Sequence, residues 1–377
     1  MRIVIDARYL TRKFSGIRMY SERLLEHLAL QDKENEYFCF VRSDYTRPLA
    51  LGENFHLLRY PSPPLSLRTI FSLHRVISRI QPDFFHTLFP LMPIFYKGKL
   101  LVNVYDLQPL LMKEWTGRRF LPLKKMYDLF YRWIYPYTFK RADWIIAISQ
   151  ATKDALTDLF PHLAEKTLVI HAGIDPEVGE LQNSNVFENL VKKHNIPTRY
   201  ILYVGSTRPN KNIPTMLKAF ALLAKRHQDT LDVAFVLVLT PDRFLADIKH
   251  VINELHLSSK VIILDPVSQT EKHALYTNAQ MLFFATRLEG FGFPLLEAQA
   301  YGAPVVASRD YSLPEIAGDS ALLVDPFDTS ALAEAMFRAL SDQALRKELI
   351  QKGKENITNF SWQRTAKMVL EVYHHLI

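Results

Sequence analysis

The sequence predicts an α/β fold of two doubly wound, Rossmann-like domains, and three observations predict it. Short apolar runs bounded by turn residues alternate along the chain with longer stretches of helical period. Several of those runs are apolar on both faces, as strands are in a parallel sheet covered by helices on either side. The length, 377 residues, exceeds what one core holds but suits two domains of roughly 180 residues each.

The strands read most directly are Ile3–Ile5, Tyr37–Val41, Leu100–Val104, Trp144–Ile148, Ile201–Val204, Val233–Leu239, Val261–Leu264, Met281–Phe284 and Pro304–Ala307. Helical period is readable at Met19–Leu30, Ala151–Leu159, Ile213–Lys225, Thr270–Asn278, Pro294–Tyr301 and Ser330–Leu340. Alternating β and α elements give doubly wound sheets. The pattern restarts after Asp175: residues 176–199 are polar and weakly patterned, and Tyr200 opens a fresh strand–loop–helix unit. The expected division is therefore 1–175 and 176–360, followed by a terminal helix over 361–377. That last segment sets Trp362, Ala366, Val369 and Tyr373 on one helical face, which needs a partner to bury it.

Composition narrows the class. An apolar share of 48% with 23% charged residues is ordinary for a folded soluble protein. The single cysteine, Cys39, has no partner in the chain for a disulfide, which points to a reducing, cytoplasmic setting. Arg2, Asp6 and Arg8 interrupt the apolar N-terminal run, so it reads as a buried first strand and not as a secretory signal. The longest apolar window, Phe84 to Phe95, contains His86, Pro90 and Pro93 and is too short and too broken to span a bilayer. The net charge of +7 is uneven: residues 1–180 hold 25 basic against 19 acidic side chains. Such an excess fits a solvated basic face, or a polyanionic partner such as nucleic acid, a phosphorylated acceptor or an anionic lipid surface. The stretch from Glu114 to Arg141 mixes Arg118, Arg119, Lys124, Lys125, Arg132, Lys140 and Arg141 with Trp115, Phe120, Tyr127, Phe130, Tyr131, Trp133 and Tyr135. It either packs its aromatic residues inward and leaves its bases solvated, or lies on an anionic membrane.

The strongest chemical constellation runs from Thr286 to Ala298, between the strand Met281–Phe284 and a helix with Pro294 in its first turn. Gly290 and Gly292 let backbone amides approach a ligand, and a helix N-terminus offers unpaired N–H groups to a phosphate. Glu289 lies in the loop and Glu297 in the helix, two carboxylates suited to the hydroxyls of a sugar and a ribose. A bare strand–turn–helix corner would need the glycines but not this pair of acids. A second strand–helix loop, Gly205-Ser206-Thr207-Arg208-Pro209-Asn210-Lys211-Asn212, has Gly205 to turn the chain and Arg208 and Lys211 as cations for phosphate oxygens. Ser312 and Glu315 have capping-box spacing and Gly318 ends the turn, so Ser312 to Gly318 reads as a capped short helix. Gly16 opens a helix after the first strand, where its loop can reach a phosphate. Absences also count: there is no G-x-G-x-x-G, P-loop, G-x-S-x-G, H-E-x-x-H or D-x-D, so dehydrogenase, hydrolase and metal-dependent readings lose support.

These residues resemble the retaining glycosyltransferases of family 4, which have the GT-B fold of two Rossmann-like domains facing a central cleft. Glu289 and Glu297 look like the E-x7-E motif of that family, within EGFGFPLLEAQAYGAPVVAS and followed by SLPEIAGDSALLVDP. YVGSTRPNKN is similar to its glycine–basic loop, DWIIAISQATKDAL to its end-of-domain strand and helix, and VIHAGID to its interdomain stretch. The likeness covers nearly the whole chain and is tightest from Tyr200 to Pro326.

The resemblance implies a nucleotide-sugar donor, UDP- or GDP-hexose with UDP-hexose slightly favoured, and a glycan or lipid-linked acceptor, with no metal, no cofactor and no nucleic acid. It places Lys211 on the phosphates, Glu297 on the ribose and Glu289 at the donor sugar. Phe291, Gly292 and Phe293 would offer amides to sugar hydroxyls, Pro294 and Leu295 would lie near the phosphates, and Val267 in the base-contacting loop. Two departures stand out. Ser206 follows the glycine where an arginine is usual, leaving Arg208 to substitute. Tyr105 in Val104-Tyr105-Asp106-Leu107 replaces the histidine of H-D-L, while Asp106 remains. The expected activity is retaining hexosyl transfer in polysaccharide biosynthesis, the terminal helix crossing back to the first domain. A nucleotide-sugar epimerase and a catalytically weak donor-binding scaffold are the rivals, the latter favoured by Tyr105.

Overall fold

A computed structural model describes residues 1–11, 15–112, 121–174, 184–229 and 231–376. The chain forms two units, one from Met1–Leu111, Phe120–Gly173 and Phe360–Ile377 and the other from Ile174–Asn359. The expected boundary at Asp175 lies outside the described residues.

The first unit holds seven parallel strands: β1 (Arg2–Asp6), β2 (Glu36–Arg42), β3 (Phe55–Tyr60), β4 (Phe84–Thr87), β5 (Lys99–Val104), β6 (Trp144–Ala147) and β7 (Thr167–Val169). Their order is β3-β2-β1-β4-β5-β6-β7, so the winding reverses between β1 and β4. The second unit has six parallel strands: β8 (Tyr200–Ser206), β9 (Ala234–Thr240), β10 (Val261–Leu264), β11 (Met281–Phe284), β12 (Val305–Ser308) and β13 (Leu322–Val324). Their order, β10-β9-β8-β11-β12-β13, reverses between β8 and β11. The strands β1, β5, β9 and β11 are almost wholly buried and β8 is buried over Tyr200–Tyr203, as helices on both faces of a parallel sheet require.

The charges in the first strand are accommodated by pairing. Arg8, fully buried, donates to both carboxylate oxygens of Asp6 at 2.7 and 2.6 Å and to the Thr69 hydroxyl at 2.7 Å, tying the end of β1 to the helix Leu67–Ile80. The terminal helix Trp362–His375 lies on the helix Gly16–Gln31, with Trp362, Ala366, Val369 and Tyr373 all buried. The chain comes so close there that a Cβ on Gly173 would stand 2.1 Å from the Trp362 amide nitrogen. Tyr373 reaches the interior, where its hydroxyl lies 2.8 Å from His86 Nδ1, and His86 Nε2 lies 2.8 Å from Asn103 Oδ1.

Four strands carry too little alternation to be read from sequence. β3 is an edge strand buried only at its end residues, Phe55 and Tyr60; β4 sits inside the Phe84–Phe95 window; β7 and β13 have three residues each. The polar stretch 176–199 is corrected: it contains the helix Ser184–His194, whose Leu190 is buried. In the basic–aromatic stretch, residues 113–120, including Trp115, Arg118, Arg119 and Phe120, lie outside the described residues, as does the side chain of Lys124. In the helix Leu121–Arg141, Tyr131, Ile134, Tyr135 and Phe139 are buried, while Lys125, Met126, Leu129, Arg132, Trp133 and Lys140 are exposed. Neither reading of that stretch holds for every aromatic residue. Among the described residues no helix is long and apolar enough to cross a membrane.

Candidate functional site

The site grows from the point where the second sheet reverses its winding. β8 ends at Ser206 and leads into Thr207–Asn212; β11 ends at Phe284 and leads through residues 285–292 into the helix Phe293–Ala300. Both loops open from the carboxyl ends of adjacent strands, where open α/β sheets bind their ligands.

Two asparagines join the loops. Asn210 donates through Nδ2 to the Leu288 carbonyl at 2.9 Å, and its own carbonyl accepts from the Arg287 amide at 2.8 Å. Asn212 donates to the carbonyls of Ala285 at 3.0 Å and Pro326 at 2.8 Å, from a left-handed backbone (φ 57°) that asparagine tolerates better than most residues. The Thr207 hydroxyl donates to Asp242. Gly205 does not turn the chain: it is the sixth residue of β8, paired with Leu239. Its contribution is space, since a Cβ there would lie 2.5 Å from the buried Tyr203 hydroxyl.

Lys211 ends the 3-10 turn Pro209–Lys211, and its Nζ stands 2.5 Å from Glu289 Oε2; each side chain is only 16% exposed. The cation expected on the phosphates thus holds the carboxylate expected at the sugar. Arg208, at the head of the turn, is exposed. Gly292 caps the helix Phe293–Ala300 at φ +104°, a conformation for which glycine is suited, and a Cβ there would come within 2.7 Å of Leu313 Cδ2. Pro294 sits in the first turn, where its missing N–H costs nothing, and Phe291 and Leu295 are buried while Phe293 is half-buried. The Leu295 amide turns back onto the Gly292 carbonyl at 3.0 Å, and the helix N-terminus as a whole carries the positive end of a dipole, an arrangement suited to a phosphate.

Glu297, in the second turn of that helix, is buried. Its Oε1 accepts from Lys272 Nζ at 2.5 Å and its Oε2 from the Tyr276 hydroxyl at 2.9 Å, both from the helix Gln269–Asn278. Burial first, and the Glu297 charge next, push the Tyr276 phenol well above its usual range, so it remains a donor. Val267 lies in the loop between β10 and this helix.

The expected capping role of Ser312 is corrected. Its hydroxyl makes no capping bond; it donates to the carbonyls of Glu289 at 2.5 Å and Phe291 at 3.2 Å, and so pins the E-x7-E loop from beneath. A capping box does occur, but at Ser268 and Glu271.

The first-unit residues fall differently. Gly16 is the first residue of the helix Gly16–Gln31, behind Ser15, whose hydroxyl accepts from the Arg18 amide; Phe14 lies outside the described residues. Asp106 accepts from the backbone amide and side chain of Gln108 at 3.0 and 3.1 Å, which starts a short helical turn. Tyr105 is corrected: its ring packs edge-on against Tyr20 at 5.2 Å and its hydroxyl is buried without a hydrogen-bond partner among the described residues. It presents no hydroxyl to a sugar in this structure, and burial keeps its phenol neutral.

Sequence reasoning gave no role to Asn210, Asn212, Lys272 and Tyr276, and gave Ser312 the wrong one. The asparagines flank Lys211, a polar signal within the loop already singled out. Lys272 and Tyr276 show only four-residue spacing on a helix, and the Ser312–Glu315 spacing pointed to the wrong bond. Among the described residues no three histidine, cysteine or acidic side chains gather where they could hold a metal ion.

Two family models match the chain, Glycosyltransferase Family 4 over residues 14–178 and Glycosyl transferases group 1 over residues 186–356. Similar curated proteins include the serotype-specific mannosyltransferase WbdA of Escherichia coli, 28% identical over 281 residues, covering 74% of this chain and 34% of that protein. The D-inositol 3-phosphate glycosyltransferase of Corynebacterium glutamicum is 29% identical over 240 residues, covering 60% of this chain and 56% of that one. The chain therefore spans about a third to just over half of the length of these relatives. Solved structures of the same fold include sucrose-phosphate synthase from Thermosynechococcus elongatus (TM-score 0.76, 21% identity, 100% and 99% covered) and the lipopolysaccharide glycosyltransferase WaaG (0.72, 15%, 99% of each). Anabaena HepE in complex with UDP and glucose has a TM-score of 0.72 at 16% identity, with 100% of each chain covered.

Proposed function

The chain belongs to the family 4 glycosyltransferases, and from that premise we propose that it transfers a hexose, with retention, from a nucleotide-diphosphate sugar to a hydroxyl of a glycan or glycoconjugate acceptor. The observation that carries this reading is the switch point of the second sheet. Two carboxylates stand there on either side of one helix N-terminus, each held by a lysine. The helix amides take the diphosphate, Lys211 and Arg208 offset the charge that grows on the leaving nucleotide, Glu289 orients the sugar hydroxyls and Glu297 the ribose. The sugar C1–oxygen bond to the phosphate breaks as the acceptor oxygen bonds to C1 from the same face, and the acceptor proton leaves with a phosphate oxygen. These cations do the work that a divalent metal does in other transferases, so the reaction proceeds without one. Tyr105 has no part in the proton transfer, because its hydroxyl is buried.

The mannosyltransferase relatives favour a mannose donor, against the slight preference for UDP-hexose that the family resemblance implies; the HepE complex, with UDP and glucose, agrees with the latter. Calorimetric titration of UDP and GDP, each with EDTA, into wild type and Glu297→Ala tests the site. One nucleotide should bind regardless of EDTA and lose affinity in the variant. Failure of both nucleotides to bind, or binding that ignores Glu297, removes the reading. Release of free sugar in place of transferred sugar would identify an epimerase.

The acceptor side includes an anionic lipid surface. Met126, Leu129 and Trp133 are exposed on the helix Leu121–Arg141 beside Lys125 and Arg132. Leu67, Phe71 and Phe95 are exposed too, near Arg68 and Arg75, and the helix Leu67–Ile80 contains no acid. Amphipathic basic faces of this kind bind anionic interfaces. Sedimentation with phosphatidylglycerol vesicles should be lost in 0.5 M salt (about a 4 Å Debye length) or with Trp133→Ser plus Leu129→Ser; no sedimentation at low salt removes the proposal.

A further inference from the structure

Glu297 has both of its carboxylate oxygens engaged, and both partners come from one helix that the donor reading does not otherwise use. Lys272 and Tyr276 are four residues apart on Gln269–Asn278 and so share a face; the ammonium takes Oε1 and the phenol takes Oε2. Neither partner is solvated: Tyr276 is fully buried, and the Lys272 and Glu297 side chains are 9% and 10% exposed. A carboxylate offers about four lone-pair sites, so two remain for a ligand, and the two taken fix the plane of the group. The same helix begins in the capping box of Ser268 and Glu271, directly after Val267. The clamp on Glu297 and the loop beside it therefore belong to one rigid element.

We propose that Lys272 and Tyr276 are positioning residues that aim Glu297 at the ribose diol, and that their helix thereby reads ribose and base as a unit. The proposal rests on the donor-site reading above. A loosened carboxylate still accepts a hydrogen bond but no longer favours two vicinal hydroxyls over one, so discrimination between ribose and 2′-deoxyribose falls before phosphate binding does.

The test is calorimetric: the preferred nucleoside diphosphate, its 2′-deoxy analogue and inorganic pyrophosphate are titrated into wild type, Lys272→Met, Lys272→Arg, Tyr276→Phe and Glu297→Ala. Wild type should prefer the ribonucleotide by about tenfold or more, the value of a hydrogen bond to a charged group. Lys272→Met and Tyr276→Phe should bring the ratio within about threefold while pyrophosphate binds as in wild type, and Lys272→Arg should restore part of it. Tyr276→Phe keeps the ring and so remains informative should Lys272→Met misfold. Wild-type ratios in both Lys272→Met and Tyr276→Phe, alongside a collapsed ratio in Glu297→Ala, would overturn this proposal alone. A wild type without ribose preference, unchanged in Glu297→Ala, would overturn the donor-site reading with it.

Discussion

Glu289→Gln should make the protein bind free nucleoside diphosphate more tightly and nucleotide sugar no better, or worse. Lys211 Nζ lies 2.5 Å from Glu289 Oε2 in a pair largely shielded from solvent on both sides. An incoming diphosphate must draw that ammonium away from the carboxylate, or share it, while approaching a fixed negative charge. A hydrogen bond to a charged partner contributes a net ~1.5–3 kcal/mol. The amide oxygen of glutamine still accepts from Lys211, so only part of that competition disappears. The gain for the free nucleotide is thus about 1–1.5 kcal/mol, a five- to tenfold lower Kd. For the nucleotide sugar the gain is offset by the weaker bonds that a neutral amide makes to the sugar hydroxyls, and the transfer rate should fall about a hundredfold. Calorimetry with the nucleotide and its sugar, beside steady-state transfer rates, separates the two effects. The reasoning fails if Glu289→Gln weakens free nucleotide, or shifts both ligands by the same factor.

Three further outcomes follow from other contacts. Burial holds the His86 imidazole down at about 4 against an ordinary value near 6.5. The unfolded chain therefore binds more protons there, so this contribution to stability is complete above pH 6.5 and is lost as pH falls towards 4, by about 3 kcal/mol in all; urea titrations between pH 7 and 4 should show the slope, and His86→Gln should flatten it. Ser312→Ala should cost about 1–2 kcal/mol in urea unfolding and weaken donor binding several-fold, because the carbonyls of Glu289 and Phe291 lose their shared donor; an unchanged donor Kd would show that the loop holds its shape without the serine. Gly173→Ala should displace the terminal helix, since the new methyl would overlap the Trp362 backbone; thermal unfolding several degrees lower, with Trp362 more exposed to a fluorescence quencher, is the expected result.

Legibility followed the strength of the local pattern. β10 and β11 are four-residue apolar runs between polar turns and were readable to the residue, whereas β7 and β13, with three residues each, carry no period at all. The helix Ser184–His194 was unreadable because five of its eleven residues are charged or amide-bearing on the faces that water covers, and only Leu190 is buried at its centre. At the site, the order of motif and strand placed Glu289, Glu297 and Lys211 correctly on their elements. What joins them was not written locally: Lys211 meets Glu289 across 78 positions, and Lys272 meets Glu297 across 25. Ser312 shows the converse failure, where a local rule that favours a capping box lost to carbonyls brought near by tertiary packing.

Two lysine–glutamate pairs around one helix N-terminus, one buried and one half-buried, are an expensive way to stabilise a fold. Taking each ion from water costs several kcal/mol, and apolar residues of similar volume often fill such places with equal or greater stability. The pairs make physical sense as instruments of recognition. In the proposed donor site, Glu289 and Lys211 hold opposite charges 2.5 Å apart, one for the sugar and one for the diphosphate. Glu297 is fixed from behind by Lys272 and Tyr276, so its remaining lone pairs point where the protein needs them. The seven residues between the two glutamates follow from the same geometry. The first acid must precede the Gly292 cap to stay in the loop with Lys211, and the second must lie in the second helical turn to meet the Gln269–Asn278 helix. A shorter spacing would put Glu297 in the first turn, away from its lysine and among the amides that a phosphate requires.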